Sequence, residues 1–168
     1  TIAADLKKQG VVDDEEALLD LAVYKKLTNK DLESGMYAIP AGTSYRDLLN
    51  GMASGNMEVE VVVTFNNCKT IHDLAEKVSK CLDIPSQELE SYIMSEETFK
   101  KYDFTAETIP ALFIPNSYKM YYDTDKEAFV QRMADEFKKF WTAERMAKLK
   151  TVGLSSPSEA VTLASIVY

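Results

Sequence analysis

Apolar residues recur at the helical spacing of three or four along most of this chain, and most such stretches follow a residue that can cap a helix. Thr70 and either Thr43 or Ser44 are examples of these caps, and Ser86 is expected to cap a helix after Pro85. Asp13 and Asp14 lie where a helix restarts after Gly10, at the positive end of its dipole. The pattern predicts helices at residues 1–9, 13–27, 44–55, 70–82, 86–93, 95–101, 125–140, 142–152 and 156–168.

Three other stretches have the character of strands or loops. Residues 36–39 form a short apolar run, and "MEVEVVVTF" (57–65) first alternates and then becomes continuously apolar, which indicates a strand that passes from an exposed to a buried position. "TIPALFIPNSYKMYY" (108–122) is aromatic-rich and interrupted by two prolines, which is typical of edge strands and a loop. Together with the helices, these strands predict an α+β protein with small mixed sheets.

The last predicted helix is apolar on nearly every side. Ser156 is placed to cap it, Pro157 suits the first helical position, and Glu159 completes a capping box. A helix that is apolar all round is typically buried. We therefore expect this helix to be buried inside a domain, and we expect that domain to continue past Tyr168.

Composition excludes several classes of protein. The 168 residues suit one or two small domains, and a hydrophobic content of 46% is enough to form a core. No run approaches the roughly 18 apolar residues of a membrane span, and no signal peptide is visible. A net charge of −8 argues against nucleic acid as a partner, because phosphates require clustered lysine and arginine.

The sequence offers few residues for metal or nucleophilic chemistry. Cys68 and Cys81 form no CxxC motif, and the single histidine, His72, leaves too few soft ligands for zinc. The helix between the cysteines separates their Cα atoms beyond the ~7 Å limit of a disulfide, so we expect free thiols, with a disulfide as the alternative. His72 is expected at the surface or in a cap. With no P-loop and no G-x-G-x-x-G motif either, we expect no metal and no cofactor.

"YAIPAGTSYRDLL" (37–49) has the order strand, turn and capped helix. It resembles a LysM module, a small βααβ unit that holds N-acetylglucosamine-containing chains between its loops. The resemblance implies glycan contact at Tyr37, Gly42 and Ser44. The alternative is an ordinary strand followed by a capped helix.

A wider resemblance covers essentially the whole chain. The motif just described, then "VVVTF" before "TIHDLA", then "LFIPNSY" and finally "TLASIV" follow one another as in the endolytic murein transglycosylases, the MltG- or YceG-like family. That family has a loop "L-F-P-D-T-Y" and a catalytic helix "L-A-S-I-V-E-x-E". The resemblance implies a LysM-like subdomain at 1–55 and the N-terminal part of a YceG-like catalytic domain at 56–168.

The resemblance also implies the site residues. Asn116, Ser117 and Tyr118 match the family's P-D-T-Y loop, where they would line the sugar groove or order the catalytic helix. Ser165 would face the cleft or simply pack. The chain has Tyr168 where the family often has its first glutamate, so the resemblance implies no catalytic residue within this chain and a glutamate just after Tyr168.

The implied reaction is cleavage of peptidoglycan strands between N-acetylmuramic acid and N-acetylglucosamine. One glutamic acid protonates the leaving oxygen and then takes a proton from the substrate's own C6 hydroxyl, which leaves 1,6-anhydro ends. The resemblance implies attachment to the bacterial inner membrane by a helix before Thr1, with the body outside the cytoplasm. It also implies penicillin-binding proteins, the cell-wall synthases, as partners.

Two rival functions follow from the same residues. One is a non-catalytic glycan-binding or scaffold protein of the cell envelope, which is favoured by Tyr168 standing where the family often has a glutamate. In either function Tyr121, Tyr122 and Trp141 would stack on sugars or belong to the core. The other is a lyase that uses pyridoxal phosphate, because the family once carried the label aminodeoxychorismate lyase. No lysine has a recognisable Schiff-base setting and no phosphate-binding glycine loop is visible, which argues against this second rival.

Overall fold

The structure, a computed structural model, describes residues 1–32, 35–66 and 68–167, with the side chain of Val167 excluded. The fold is α+β, as predicted. The helices are α1 (Ile2–Lys8), α2 (Glu15–Tyr24), α3 (Tyr45–Ser54), α4 (Ile71–Ser79), α5 (Ser86–Ile93), α6 (Glu96–Tyr102), α7 (Lys126–Phe140), α8 (Ala143–Thr151) and α9 (Pro157–Val167). The strands are β1 (Glu60–Phe65) and β2 (Asn116–Tyr121), and a 3₁₀ helix, η1, covers Ile109–Leu112.

Side-chain caps define where most helices begin. In each case a side-chain oxygen accepts a hydrogen bond from a backbone N–H three residues further along, which satisfies a donor that the helix itself cannot pair. These caps are Thr1, Asp14, Ser44, Thr70, Ser95, Asp125 and Thr142. The predicted cap at Ser86 is wrong, because Ser86 is already the first helical residue and Pro85 precedes it without a side-chain hydrogen bond.

The sheet is smaller than the sequence predicts. β1 and β2 form one two-stranded antiparallel sheet, where mixed sheets were expected. The predicted strand at 36–39 is reduced to a single antiparallel bridge between Tyr37 and Glu58. Pro40 has no N–H to donate, and the turn at Gly42 (φ +82°) follows at once, so the pairing does not extend.

Burial along β1 alternates rather than becoming continuous. Val63 and Phe65 are buried, whereas Val62 between them is 54% exposed. The strand does pass from an exposed start to buried residues, as predicted, although the burial at its end alternates. An antiparallel pair can have one face on the core and the other in solvent, and this arrangement leaves every second residue outside.

The chain divides into two compact units. The first contains residues 1–61 and 121–123. Its core is formed by α1, α2, α3 and the segment after α1, with the buried side chains Ala3, Val12, Leu18, Leu48, Leu49 and Met52. Only one helix, α3, lies between the bridged residues Tyr37 and Glu58, so the βααβ order of a LysM-like subdomain is not confirmed. The domain division at residue 55 stays a prediction.

The second unit contains residues 62–120 and 124–168 and is built around Phe129 on α7. Phe129 is fully buried, meets the ring of Phe65 edge-on at 6.5 Å and stacks on Phe113 at 6.3 Å between centroids. Phe65 in turn stacks on Tyr118 at 5.4 Å. Aromatic pairs at these distances and angles are favourable beyond the area they bury, so this cluster holds α7 against the sheet.

Helix α9 begins as predicted and is exposed where burial was expected. The Ser156 hydroxyl accepts from the N–H of Glu159 at 3.2 Å, and the Glu159 carboxylate accepts from the N–H and hydroxyl of Ser155. The helix contacts η1 and α8. Every residue from Val161 to Ile166 is nevertheless exposed, Ile166 by 76%. Two short neighbours cannot cover all sides of an apolar helix, so the prediction of burial is wrong for this structure.

Cys68 and Cys81 are both free thiols and partly buried, which confirms the prediction that they form no disulfide.

Of the helices that the structure describes, none has the length and apolar character that crossing a bilayer requires.

His72 connects α4 to α5 at the surface, where it was expected. Its Nδ1 lies 2.8 Å from Oε2 of Glu90, and its Nε2 lies 3.5 Å from Oε1 of Glu76. The hydrogen bond to Glu90 raises the pKa of His72 above its ordinary value, and the negative charges of Glu90 and Glu76 act in the same direction.

We predict that an NMR titration of the single histidine gives a pKa above 6.5, and that Glu90→Gln lowers this pKa further than Glu76→Gln does, since Glu76 is more distant. A folded-state pKa above the unfolded value stabilises the fold below about pH 6.5, and this stabilisation is lost as the pH rises through the folded-state pKa. A wild-type pKa at or below 6.5, or a larger effect of Glu76→Gln, would contradict this account.

Candidate functional site

A cavity of about 260 Å³ lies in the second unit where β2 begins, beside the end of α7 and the start of α8. Two of the residues predicted to bind substrate, Asn116 and Tyr118, line it. The lining residues are Ile114, Asn116, Tyr118, Glu136, Lys139, Phe140 and Arg145.

β2 supplies one wall of the cavity, because alternate residues of a strand point to the same face. Asn116 and Tyr118 both line the cavity, whereas the Ser117 hydroxyl is hydrogen-bonded to that of Thr64 at 2.7 Å and does not line it. The sequence predicted a loop at these three residues, and the structure has the first half of a strand. The strand therefore directs the Ser117 side chain to the face opposite that of Asn116 and Tyr118.

Tyr118 is a fixed part of that wall. Its hydroxyl donates to the carbonyl of Ile114 at 2.6 Å, and its ring is buried against Phe65. Burial raises the pKa of Tyr118, and the negative charge of Glu136 raises it further. A neutral phenol whose proton is already donated to a carbonyl is suited to shaping the cavity and not to transferring protons.

α7 supplies the only carboxylate among the lining residues that the structure describes. Oε1 of Glu136 accepts from Nζ of Lys139 at 2.8 Å and lies 3.2 Å from Nε of Arg132. The Glu136 side chain is 24% exposed. Because one oxygen is engaged by two cations from its own helix, the geometry of this group is that of an ion-pair partner.

Arg145 is held in place by the short connection between α7 and α8. Thr142 caps α8 and so places Arg145 in its first turn. The guanidinium lies over the ring of Phe140, 4.0 Å from its centroid, and Nη1 donates to the Phe140 carbonyl at 2.7 Å. A guanidinium stacked on an aromatic face keeps its edge free for planar hydrogen bonding.

The sequence did not identify the α7 and α8 residues of this cavity. Glu136 and Lys139 look like ordinary solvated charges of an amphipathic helix. A usable signal existed at "FWTAER" (140–145), because the cap Thr142 turns the chain and places an arginine five residues after an aromatic residue.

Trp141 does not line the cavity, although stacking on sugar was one prediction for it. Its ring packs on Phe137 at 6.4 Å and edge-on against Phe140 at 5.2 Å, and it is partly buried. Its Nε1 is buried without a hydrogen-bond partner in the described part of the chain. Tyr121 is exposed and Tyr122 partly exposed, and neither lines the cavity.

The other predicted residues lie elsewhere. The Ser165 hydroxyl donates to the carbonyl of Thr162 at 2.7 Å on exposed α9 and does not line the cavity. Tyr37, Gly42 and Ser44 belong to the first unit, where Ser44 caps α3 and donates to the Asp47 carboxylate at 2.7 Å. Glycan contact at these three residues stays a prediction.

A second, apolar cavity of about 120 Å³ lies between the helices of the first unit. Its lining is mostly aliphatic, and it contains none of the residues predicted to contact glycan. Within 1–32, 35–66 and 68–167, no group of three or more His, Cys, Asp and Glu side chains is arranged to hold a metal ion. The cavity at β2, with its charged, amide and aromatic groups, is therefore the better candidate for binding a polar ligand.

The chain belongs to the YceG-like family, whose model matches residues 1–168. This match confirms the family that the motifs predicted. A solved structure of a yceG-like protein, lmo1499 from Listeria monocytogenes, aligns with 92% of this chain and 55% of its own, with a TM-score of 0.51 and 14% identity. At that identity the likeness shows the fold alone, and the chain spans about half the length of that relative. No curated protein matches the chain.

We predict that Tyr118→Phe lowers the free energy of unfolding by about 1 kcal/mol, because it removes the hydroxyl that donates to the Ile114 carbonyl and leaves the ring packing intact. The measurement is urea unfolding followed by circular dichroism. Tyr24→Phe is the matched control, since Tyr24 is 81% exposed, and it should change stability by less than about 0.5 kcal/mol. Equal stability of Tyr118→Phe and wild type would show that the hydrogen bond contributes nothing.

Proposed function

We propose that the protein containing these residues is a lytic transglycosylase that cleaves peptidoglycan strands internally. Membership of the YceG-like family over residues 1–168 is the observation that carries the proposal. The fold adds support, because α9, with the motif "TLASIV", packs against η1, the 3₁₀ helix shortly before Asn116. The helix that carries one specific motif thus contacts the 3₁₀ helix that leads into the other.

In the proposed reaction one glutamic acid does all the proton transfer. It protonates the oxygen that leaves when the glycosidic bond breaks, which neutralises the negative charge that develops on this oxygen as the oxocarbenium-like transition state forms. It then accepts the proton of the substrate's C6 hydroxyl as this oxygen attacks the anomeric carbon, giving a 1,6-anhydro sugar. The nucleophile is part of the substrate and already close, so no second carboxylate is needed.

The proposal places that glutamate just after Tyr168, on a continuation of α9. Two acids already within the chain are poorly suited to the role. The Glu159 carboxylate is bound to Ser155, and these hydrogen bonds lower the pKa of Glu159 and favour its ionised form. Glu136 is paired with Lys139 and Arg132. A general acid must instead be neutral and directed at the leaving oxygen.

The cavity at β2 would bind part of the glycan in this proposal. Tyr118 supplies a rigid wall, Asn116 supplies an amide, and Arg145 and Lys139 supply positive charge. A few fixed polar groups on an otherwise rigid wall are what orients a saccharide. We further propose, from the family resemblance, a position outside the cytoplasm on the bacterial inner membrane, anchored by a helix before Thr1, with penicillin-binding proteins as partners.

A second function, a non-catalytic glycan-binding or scaffold protein of the cell envelope, is favoured by one observation. The only acid lining the cavity in the described part of the chain is engaged with two cations. A site that binds glycan without cutting it would have this composition.

We predict that a form extended past Tyr168 by the residues that follow in its gene releases fragments with 1,6-anhydro ends from purified peptidoglycan, detected by mass spectrometry. Replacing the first glutamate after Tyr168 by glutamine should reduce these products by at least about a hundredfold, the usual contribution of a general acid. The chain of residues 1–168 should give none.

Two other outcomes of this experiment would contradict the proposal. Anhydro products from residues 1–168 alone would place the acid within the chain and contradict the proposed position. An extended form that binds glycan and yields no anhydro ends would refute the transglycosylase and favour the scaffold.

A further inference from the structure

Arg145 has no acidic partner among the described residues, although acids outnumber basic residues in this chain by 27 to 19. The cavity's other cation, Lys139, is paired with Glu136, and the neighbouring Arg132 shares the same carboxylate. Glu144, next to Arg145 in sequence, pairs with Lys148. An arginine in such an acidic protein that is fixed in place and left without a carboxylate is available to a ligand.

The orientation of Arg145 is set before any ligand arrives. The Phe140 ring supports one face of the guanidinium, and the Phe140 carbonyl binds Nη1. An arginine side chain ordinarily loses rotamer freedom when it binds, and here much of that cost is already met by the fold. The remaining N–H groups have no partner in the part of the chain that the structure describes.

A second donor lines the same cavity. Oδ1 of Asn116 accepts from the N–H of Ser117 at 2.8 Å, which leaves the Nδ2 amino group without a hydrogen-bond partner among the residues described. Glu136, Lys139 and Arg145 together give the lining a net charge of one positive unit. The cavity thus combines one positive charge without an acidic partner among the described residues with free N–H donors on the Arg145 guanidinium and the Asn116 amide.

We propose that this cavity binds a carboxylate of the peptidoglycan substrate, held by the Arg145 guanidinium and the Asn116 amide. This inference rests on the proposed function for the identity of the ligand. A guanidinium fork matches the two oxygens of a carboxylate, and one uncompensated positive charge matches a monoanion. A phosphate dianion would be left undercompensated and would lie near the Glu136 carboxylate.

The experiment tests two of the carboxylates that peptidoglycan offers. One is the lactyl carboxylate of N-acetylmuramic acid where no peptide is attached, and the other is the terminal carboxylate of a stem peptide. Both present the same chemistry to Arg145, so the experiment uses a probe pair for each source.

The test measures dissociation constants by NMR titration of the chain of residues 1–168. The first pair is the disaccharide of N-acetylglucosamine and N-acetylmuramic acid with a free lactyl carboxylate, against its lactyl methylamide. The second is N-acetyl-D-alanyl-D-alanine against its C-terminal amide. We expect the acid to bind about tenfold more tightly than the amide in at least one pair, the size expected of a charge-assisted hydrogen bond. The pair that shows the preference identifies the source.

Variants assign the preference to Arg145. Arg145→Gln should abolish the difference between acid and amide. Arg145→Lys keeps the charge without the planar guanidinium, so it should keep a preference for the acid of only a few-fold. This variant replaces Arg145→Gln if the glutamine variant does not fold. Lys150→Gln removes the same charge from an exposed position of α8 outside the cavity and should keep the full preference.

Four results would overturn the inference. These are no preference for the acid in either pair, a full preference in Arg145→Gln, an equal loss in Lys150→Gln, and tighter binding of inorganic phosphate than of either acid. The proposed function is tested separately. If an Arg145-dependent preference accompanies an extended form that makes no anhydro ends, the carboxylate site stands and the transglycosylase falls. If the extended form makes anhydro ends and no probe pair shows a preference for the acid, the transglycosylase stands and the carboxylate site falls.

Discussion

The burial of one aromatic ring, that of Phe129, holds the second unit together. Phe129 contacts Phe65 of β1 and Phe113 after η1, and Phe65 stacks on Tyr118 of β2. Burying a ring of this size is worth about 1.5–3 kcal/mol, and truncating one in a core typically costs about 3–5 kcal/mol. The polar end of α7 can stay beside the start of β2 only while this contact persists, so the cavity depends on an interaction that lies outside it.

The cavity and helix α9 have different parts in the proposed function. The cavity combines a rigid wall, one paired carboxylate and one arginine without an acidic partner, which suits binding. Helix α9 carries the motif that the family resemblance connects with proton transfer, and it contacts η1. Binding and proton transfer would then be supplied by different elements of one unit. Under the proposed function, this division would reconcile a cavity that has no free acid among its described lining residues with catalysis.

The helices could be predicted from the sequence, because their caps are local: Ser44 and Thr70 each bind a backbone N–H three residues away. The strand at 36–39 and the burial of α9 could not, since both depend on which neighbours are available. Motif resemblance predicted Asn116 and Tyr118, which line the cavity. Arg145 was not predicted, because the cap at Thr142 marks the helix break in the sequence, whereas the contact with Phe140 and the absence of a nearby acid among the described residues depend on the folded geometry.

The central claim is that this YceG-like chain contacts peptidoglycan at the cavity of the second unit. The most direct measurement is chemical-shift mapping of the chain of residues 1–168 with soluble peptidoglycan fragments that carry both sugars and stem peptides. The account predicts that the largest shifts fall at residues 114–118 and 136–145, on the segments that line the cavity. Largest shifts at Tyr37, Gly42 and Ser44, with residues 114–118 unchanged, would contradict it and would move the glycan to the first unit.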